Sequence, residues 1–142
     1  MSDYRIRKVD TDDEDVAELI MDLHKATFPG IASPDLTVGC WWVASDGIGP
    51  VGFAGLTPST AGPRIGYLKR AGVLPQHTGK GLQRRFIRVR EASAKQHGWT
   101  LLLTDTTDNP ASANNLARCG FKMFTPADPW AFKNSLYWMK RL

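Results

Sequence analysis

Polar and apolar residues alternate over Tyr4-Arg5-Ile6-Arg7-Lys8-Val9, which predicts a first strand. The period then lengthens. Val16, Leu19, Ile20, Leu23 and Ala26 recur at helical spacing, and Pro29-Gly30 ends the helix. Thr11 with Glu14 three residues on resembles a capping box, and the acids Asp12, Asp13, Glu14 and Asp15 suit the positive end of the helix dipole. Residues 31–40 are irregular, with room for a short helix. Trp41-Trp42-Val43-Ala44 and Val51 to Leu56 flank the turn residues Asp46-Gly47-Ile48-Gly49, so 41–56 reads as a hairpin. A loop from Pro58 to Pro63 leads to a fourth strand, Ile65 to Leu74, stopped by Pro75.

Gly79 to His97 predicts a long helix with Leu82, Phe86, Val89 and Ser93 on its inner stripe and Gly98 as its cap. Trp99 to Thr104 is a strongly apolar fifth strand. Pro110 to Cys119 suits a short helix with proline near its start. Phe121–Phe124 and Leu136–Met139 read as two last strands, joined by a loop with Pro126, Pro129, Trp130 and Phe132. The order β-α-(α)-β-β-β-α-β-α-β-β, with the optional short helix in 31–40, predicts a mixed α/β layer structure with helices packed on a sheet.

Composition narrows the picture. The chain has 142 residues, the length of one ordinary domain, so 1–142 is expected to be a single unit. Its 42% hydrophobic residues can build a core. The net charge of +4 favours anionic ligands, and the basic residues are spread along the chain. Arg84, Arg85, Arg88, Arg90 and Lys95 on the long helix leave nucleic-acid binding as a lesser reading, because no recognised nucleic-acid motif accompanies them. Cys40 and Cys119 form neither a disulfide framework nor a zinc spacing, and no metal is expected. The N-terminus lacks an apolar signal core and no apolar run approaches a membrane span. A cytoplasmic location without membrane contact is expected.

The most informative segment is Val73-Leu74-Pro75-Gln76-His77-Thr78-Gly79-Lys80-Gly81-Leu82-Gln83, a strand, a glycine-bearing turn and a helix start. Free N–H groups at a helix start, close backbone approach through glycine and the nearby Lys80 suit a pyrophosphate. A Walker loop is excluded because Leu82 follows Gly81, and a dinucleotide fingerprint because Arg84 replaces its third glycine.

The segment Gln76-His77-Thr78-Gly79-Lys80-Gly81 resembles motif A of the GNAT superfamily of N-acetyltransferases, [Gln/Arg]-x-x-Gly-x-[Gly/Ala], and Val73-x-Pro75 resembles the strand end before it. Thr78 stands where relatives commonly carry Arg. Asn109 to Gly120-Phe121 resembles motif B. The resemblance implies a mostly antiparallel sheet of six or seven strands, with splayed fourth and fifth strands and helices on both faces. It implies a direct transfer of acetyl from acetyl-CoA to a primary amine of a small molecule or peptide. Thr78, Gly79, Lys80, Gly81, Leu82 and Gln83 would hold the pyrophosphate, with Gln76 in the same motif. Val73 would pair with pantetheine and offer an oxyanion N–H, and Asn109 and Ser112 would reach pantetheine from the other side. As plain structure, Asn109 and Ser112 would merely cap the short helix.

Relatives often place a tyrosine general acid at the position of Leu116, which cannot give a proton. The role passes to Tyr67, to water or to nothing, and Asp105 and Asp108 are candidate bases, with turn and cap chemistry as their structural alternative. Without the usual tyrosine, a non-catalytic acyl-CoA-binding module is the rival from another class. The acceptor pocket is expected from Phe28–Asp35, the 58–63 loop and the 126–134 loop, with Trp41, Trp42, Trp130 and Phe132 as candidate walls. Family members are often dimers, so a homodimer is an open expectation.

Overall fold

The computed structural model describes residues 3–142. The elements are β1 (Arg5–Val9), α1 (Glu14–Thr27), β2 (Cys40–Ser45), β3 (Pro50–Pro58), β4 (Ile65–Val73), α2 (Leu82–Gln96), β5 (Leu101–Thr106), α3 (Pro110–Arg118), β6 (Lys122–Phe124) and β7 (Leu136–Arg141). Seven strands form one sheet in the order β1-β2-β3-β4-β5-β7-β6. Pairs β1–β2, β2–β3, β5–β7 and β6–β7 are antiparallel, and β4–β5 is parallel. This is the mixed, mostly antiparallel sheet that the residue pattern and its resemblance called for.

The chain forms two compact units. One holds residues up to Thr57 with Lys69–Phe86, and the other Pro58–Leu68 with Ile87–Leu142. In the first unit the strand period sorts side chains onto two faces. Val43 pairs with Phe53, and both join Trp41, Ile20, Leu23 and Leu36 in a buried core against α1. Ala44 pairs with Gly52, and the opposite face meets α2: a Cβ on Gly52 would stand 3.3 Å from the Phe86 ring. Helices therefore cover both faces of this unit. Trp41 and Trp42 are fully or nearly buried in it, which corrects their assignment as acceptor walls.

Helix α1 starts differently from the expected box. Asp13 is the N-cap and accepts from the N–H groups of Asp15 and Val16. Thr11 instead donates its hydroxyl to the Leu36 carbonyl at 2.7 Å. A carboxylate beats a hydroxyl as a cap because its charge also meets the helix dipole.

In the second unit, β4 and β5 share a short parallel register, Ile65 with Leu101, Gly66 with Leu102 and Tyr67 with Leu103. Beyond it, Thr104 Oγ1 donates to the Leu68 carbonyl at 2.9 Å. Lys140 of β7 bonds Glu91 of α2 at 2.7 Å and the Cys119 carbonyl at 2.6 Å, tying three elements together. On α2 the inner stripe includes Ile87, Arg90 and Ala94 besides Phe86 and Ser93, whereas Val89 is only half-buried. Among the described residues, no helix is long and apolar enough to cross a membrane, and no His, Cys, Asp and Glu group of metal-binding size occurs.

Candidate active site

The turn before α2 lies wholly in the first unit. Pro75–His77 form a single 3₁₀ turn, and the Thr78 hydroxyl closes it by donating to the Pro75 carbonyl at 2.9 Å. Gly79 and Gly81 then take φ of +74° and +81°, with nothing within 4 Å of a Cβ placed on either. Their glycine is thus required by the left-handed backbone and not by crowding. The first helical bond of α2 runs from the Arg85 N–H to the Gly81 carbonyl at 3.1 Å. By helix geometry, the N–H groups of Leu82, Gln83 and Arg84 precede that ladder and carry the positive end of the dipole.

Thr78, Gly79 and Lys80 are exposed beside this helix start, and Gln76 is exposed on the 3₁₀ turn. Leu82 is buried and anchors the helix. The Gln83 side chain reaches back to the Ala71 carbonyl of β4 at 3.2 Å. Val73 is nearly buried at the end of β4. Tyr4 Oη lies 2.8 Å from His77 Nδ1, and Asp46 Oδ2 lies 3.7 Å from its Nε2. Two N–H groups, of Gly49 and Ile48, hold the Asp46 carboxyl below its usual range. The turn is therefore braced from the residue before β1 and from the β2–β3 hairpin, a support that sequence spacing gives no sign of.

In the second unit Asn109 caps α3, its Oδ1 accepting from the Ser112 N–H at 3.1 Å. The capping alternative is thereby realised, with the Asn109 Oδ1 committed to it. Leu116, at the position where tyrosine was expected, is buried in α3.

The same unit brings together two of the three predicted catalytic residues. The Tyr67 hydroxyl donates to Asp105 Oδ1. Trp130 Nε1 in turn donates to Tyr67 Oη at 2.9 Å. The pairing follows from the parallel register. Tyr67 lies opposite Leu103, so Tyr67 and Asp105 project from one face of adjacent strands. Burial first, and then the Asp105 carboxylate, push the Tyr67 hydroxyl well above the usual phenol range, while the Trp130 bond opposes them. Tyr67 thus keeps its proton and Asp105 is the accepting end of the chain. Asp108 takes a left-handed conformation, φ +51°, and accepts from Asn134 Nδ2 at 2.8 Å. It does not join Tyr67 and Asp105.

Aromatic rings surround this pair. Trp130 meets Tyr137 edge to face with centroids 4.5 Å apart, and Phe124 lies within 6.4 Å of both. Asp105 itself pairs with Tyr137 across β5 and β7.

Solved structures share this architecture. The chain superposes on an "IAA acetyltransferase" from Bacillus cereus with a TM-score of 0.77, at 17% identity over 98% of this chain and 99% of that one. A Bacillus subtilis acetyltransferase in complex with CoA gives 0.75, at 17% identity over 98% and 99%. The Escherichia coli ribosomal-protein-S18-alanine N-acetyltransferase gives 0.72, at 14% identity over 97% and 93%. No curated protein sequence matches significantly. These likenesses define the class: the fold is that of the N-acetyltransferases. The sequence model of the acetyltransferase (GNAT) family matches residues 6–121, and the chain belongs to that family.

Proposed function

We propose that the protein transfers an acetyl group from acetyl-CoA to a primary amine by direct attack. The observation that carries this reading is the turn at Gly79 and Gly81, whose two left-handed glycines open onto a helix start beside Lys80. Backbone N–H groups there suit a diphosphate, and the family and the CoA complex of a structural neighbour support acyl-CoA as the donor. Thr78 to Gln83, with Gln76 leading into them, take the pyrophosphate. Val73 pairs with the pantetheine arm and supplies an oxyanion N–H. Asn109 and Ser112 contribute to pantetheine binding from the start of α3. The donor is a co-substrate, and the proposed chemistry invokes no metal.

In the proposed reaction the amine nitrogen forms a bond to the thioester carbon, and the carbon–sulfur bond breaks as the tetrahedral adduct collapses. Asp105 accepts the proton that the ammonium must lose before attack and passes it to water. The second proton leaves the nitrogen on collapse and ends on the CoA sulfur or in solvent. Tyr67 is a positioning residue. A hydroxyl whose pKa is raised that far is a poor acid toward a thiolate, whose conjugate thiol lies near 8.5. Asp108, held by Asn134, orders the turn after β5. The acceptor is a small molecule or a peptide amine, and a cytoplasmic location accords with Cys40 and Cys119 standing as thiols and not as a disulfide.

The buried Leu116 favours one second reading, a module that binds acyl-CoA without turning it over. Thiol release from acetyl-CoA, followed across small amines, polyamines, amino acids, aminoglycosides and peptide N-termini, separates the two. Amine-dependent release above the hydrolytic background supports transfer. CoA binding without release on any amine supports the module.

A further inference from the structure

The β6–β7 loop, residues 125–135, is built to hold aromatic rings outward. Four tethers fix it inside its own unit. The Ala131 N–H donates to Tyr137 Oη at 2.9 Å, and the Phe132 N–H to Ser135 Oγ at 3.0 Å. Ser135 Oγ meets Thr107 Oγ1 at 2.6 Å, and Asn134 meets Asp108. Pro126 and Pro129 remove further backbone freedom. Yet within this anchored loop Trp130 remains 45% and Phe132 70% exposed. A loop so constrained has already lost the entropy that an exposed ring would otherwise retain, and its rings are pre-organised for contact.

Charge points the same way. Residues 104–109 and 125–135 carry three carboxylates, Asp105, Asp108 and Asp128, against the single ammonium of Lys133. Trp130 is the joint between the two features: its indole N–H reaches the hydroxyl bonded to Asp105, and its ring forms the adjoining wall.

We propose that the acceptor is a cationic amine carried on an aromatic or apolar stem, with Trp130 as the residue that selects it. The ammonium is drawn by Asp105 and the neighbouring carboxylates, and the stem lies on Trp130 and Phe132. Amines that carry their own carboxylate beside the nitrogen are disfavoured by the same charges. This inference rests on the acyltransfer reading for its purpose, but its binding test needs no CoA.

The probe is phenethyltrimethylammonium, a cation on an aromatic stem that cannot be acylated. Titrated into the full chain, it is expected to quench intrinsic fluorescence saturably. Trp130→Phe is expected to abolish the quench, since the other four tryptophans are not in the proposed contact. Asp105→Asn is expected to weaken binding about tenfold, and the neutral 3,3-dimethylbutyl-benzene analogue to bind at least tenfold more weakly than the cation. Circular dichroism establishes that both variants are folded. Equal affinity for the neutral analogue, an undiminished quench in folded Trp130→Phe, or absence of saturable quenching would each overturn the proposal. Should CoA still bind in that case, the acyltransfer reading survives it. Failure to bind CoA would instead strike that reading alone.

Discussion

At Asp105 one carboxylate collects a hydroxyl that cannot readily leave its proton elsewhere, because burial and the carboxylate together raise the Tyr67 pKa. Replacing Asp105 by Asn keeps the shape and removes the proposed proton acceptor. We expect kcat to fall about 10²-fold, with KM for acetyl-CoA unchanged. Tyr67→Phe removes only the positioning bond, so its effect is smaller, about tenfold. Steady-state kinetics checks both.

His24 is buried, its Nε2 2.7 Å from Arg70, and stacked on Phe28. Burial first, then the Arg70 charge, lower its pKa below 6.5. The unfolded chain therefore takes up a proton near pH 6.5 before the folded chain does. The stabilisation is complete above that value and is lost as pH falls through it toward the folded pKa. Urea unfolding from pH 7.5 to 5 should show a declining free energy, and His24→Gln should flatten the decline.

At the scale of elements, two glycines show how close contacts set the strands. A Cβ on Gly55 would stand 2.5 Å from the Trp41 ring, and one on Gly66 would run into Trp99. Gly55→Ala must displace a fully buried indole, at a cost of about 1–3 kcal/mol, visible as a lower Tm with the same far-ultraviolet spectrum. The elements themselves were largely legible in the sequence. Period two, period 3.6 and turn residues located all seven strands and three helices, since those signals reflect local burial. What was not legible depends on distant partners. The α2 helix begins at Leu82 and not at Gly79, because the two left-handed glycines cannot be helical. Arg90 read as part of a basic face but is 3% exposed, and Arg85 donates to the Tyr4 carbonyl at 3.2 Å. The proposed nucleic-acid face thereby loses two of its five cations. The bracing of His77 by Tyr4 and Asp46 joins segments more than seventy and thirty residues away, so spacing carries no trace of it. For the candidate site, the Tyr67 and Asp105 pairing needed the parallel register, whereas the turn before α2 was visible from its glycines alone.

For the whole molecule, the family rests on residues 6–121 and the fold on structures below 25% identity, so donor and acceptor are matters for binding and kinetics. The direct measurement is isothermal titration of CoA into the intact chain and into Gly81→Ala. That variant must carry a side chain at φ +81°, a strain of roughly 1–2 kcal/mol, in the turn that presents the N–H groups. We expect saturable one-to-one binding, weakened about tenfold or more in folded Gly81→Ala. No heat of binding at millimolar CoA, or equal affinity in the two proteins, would contradict it.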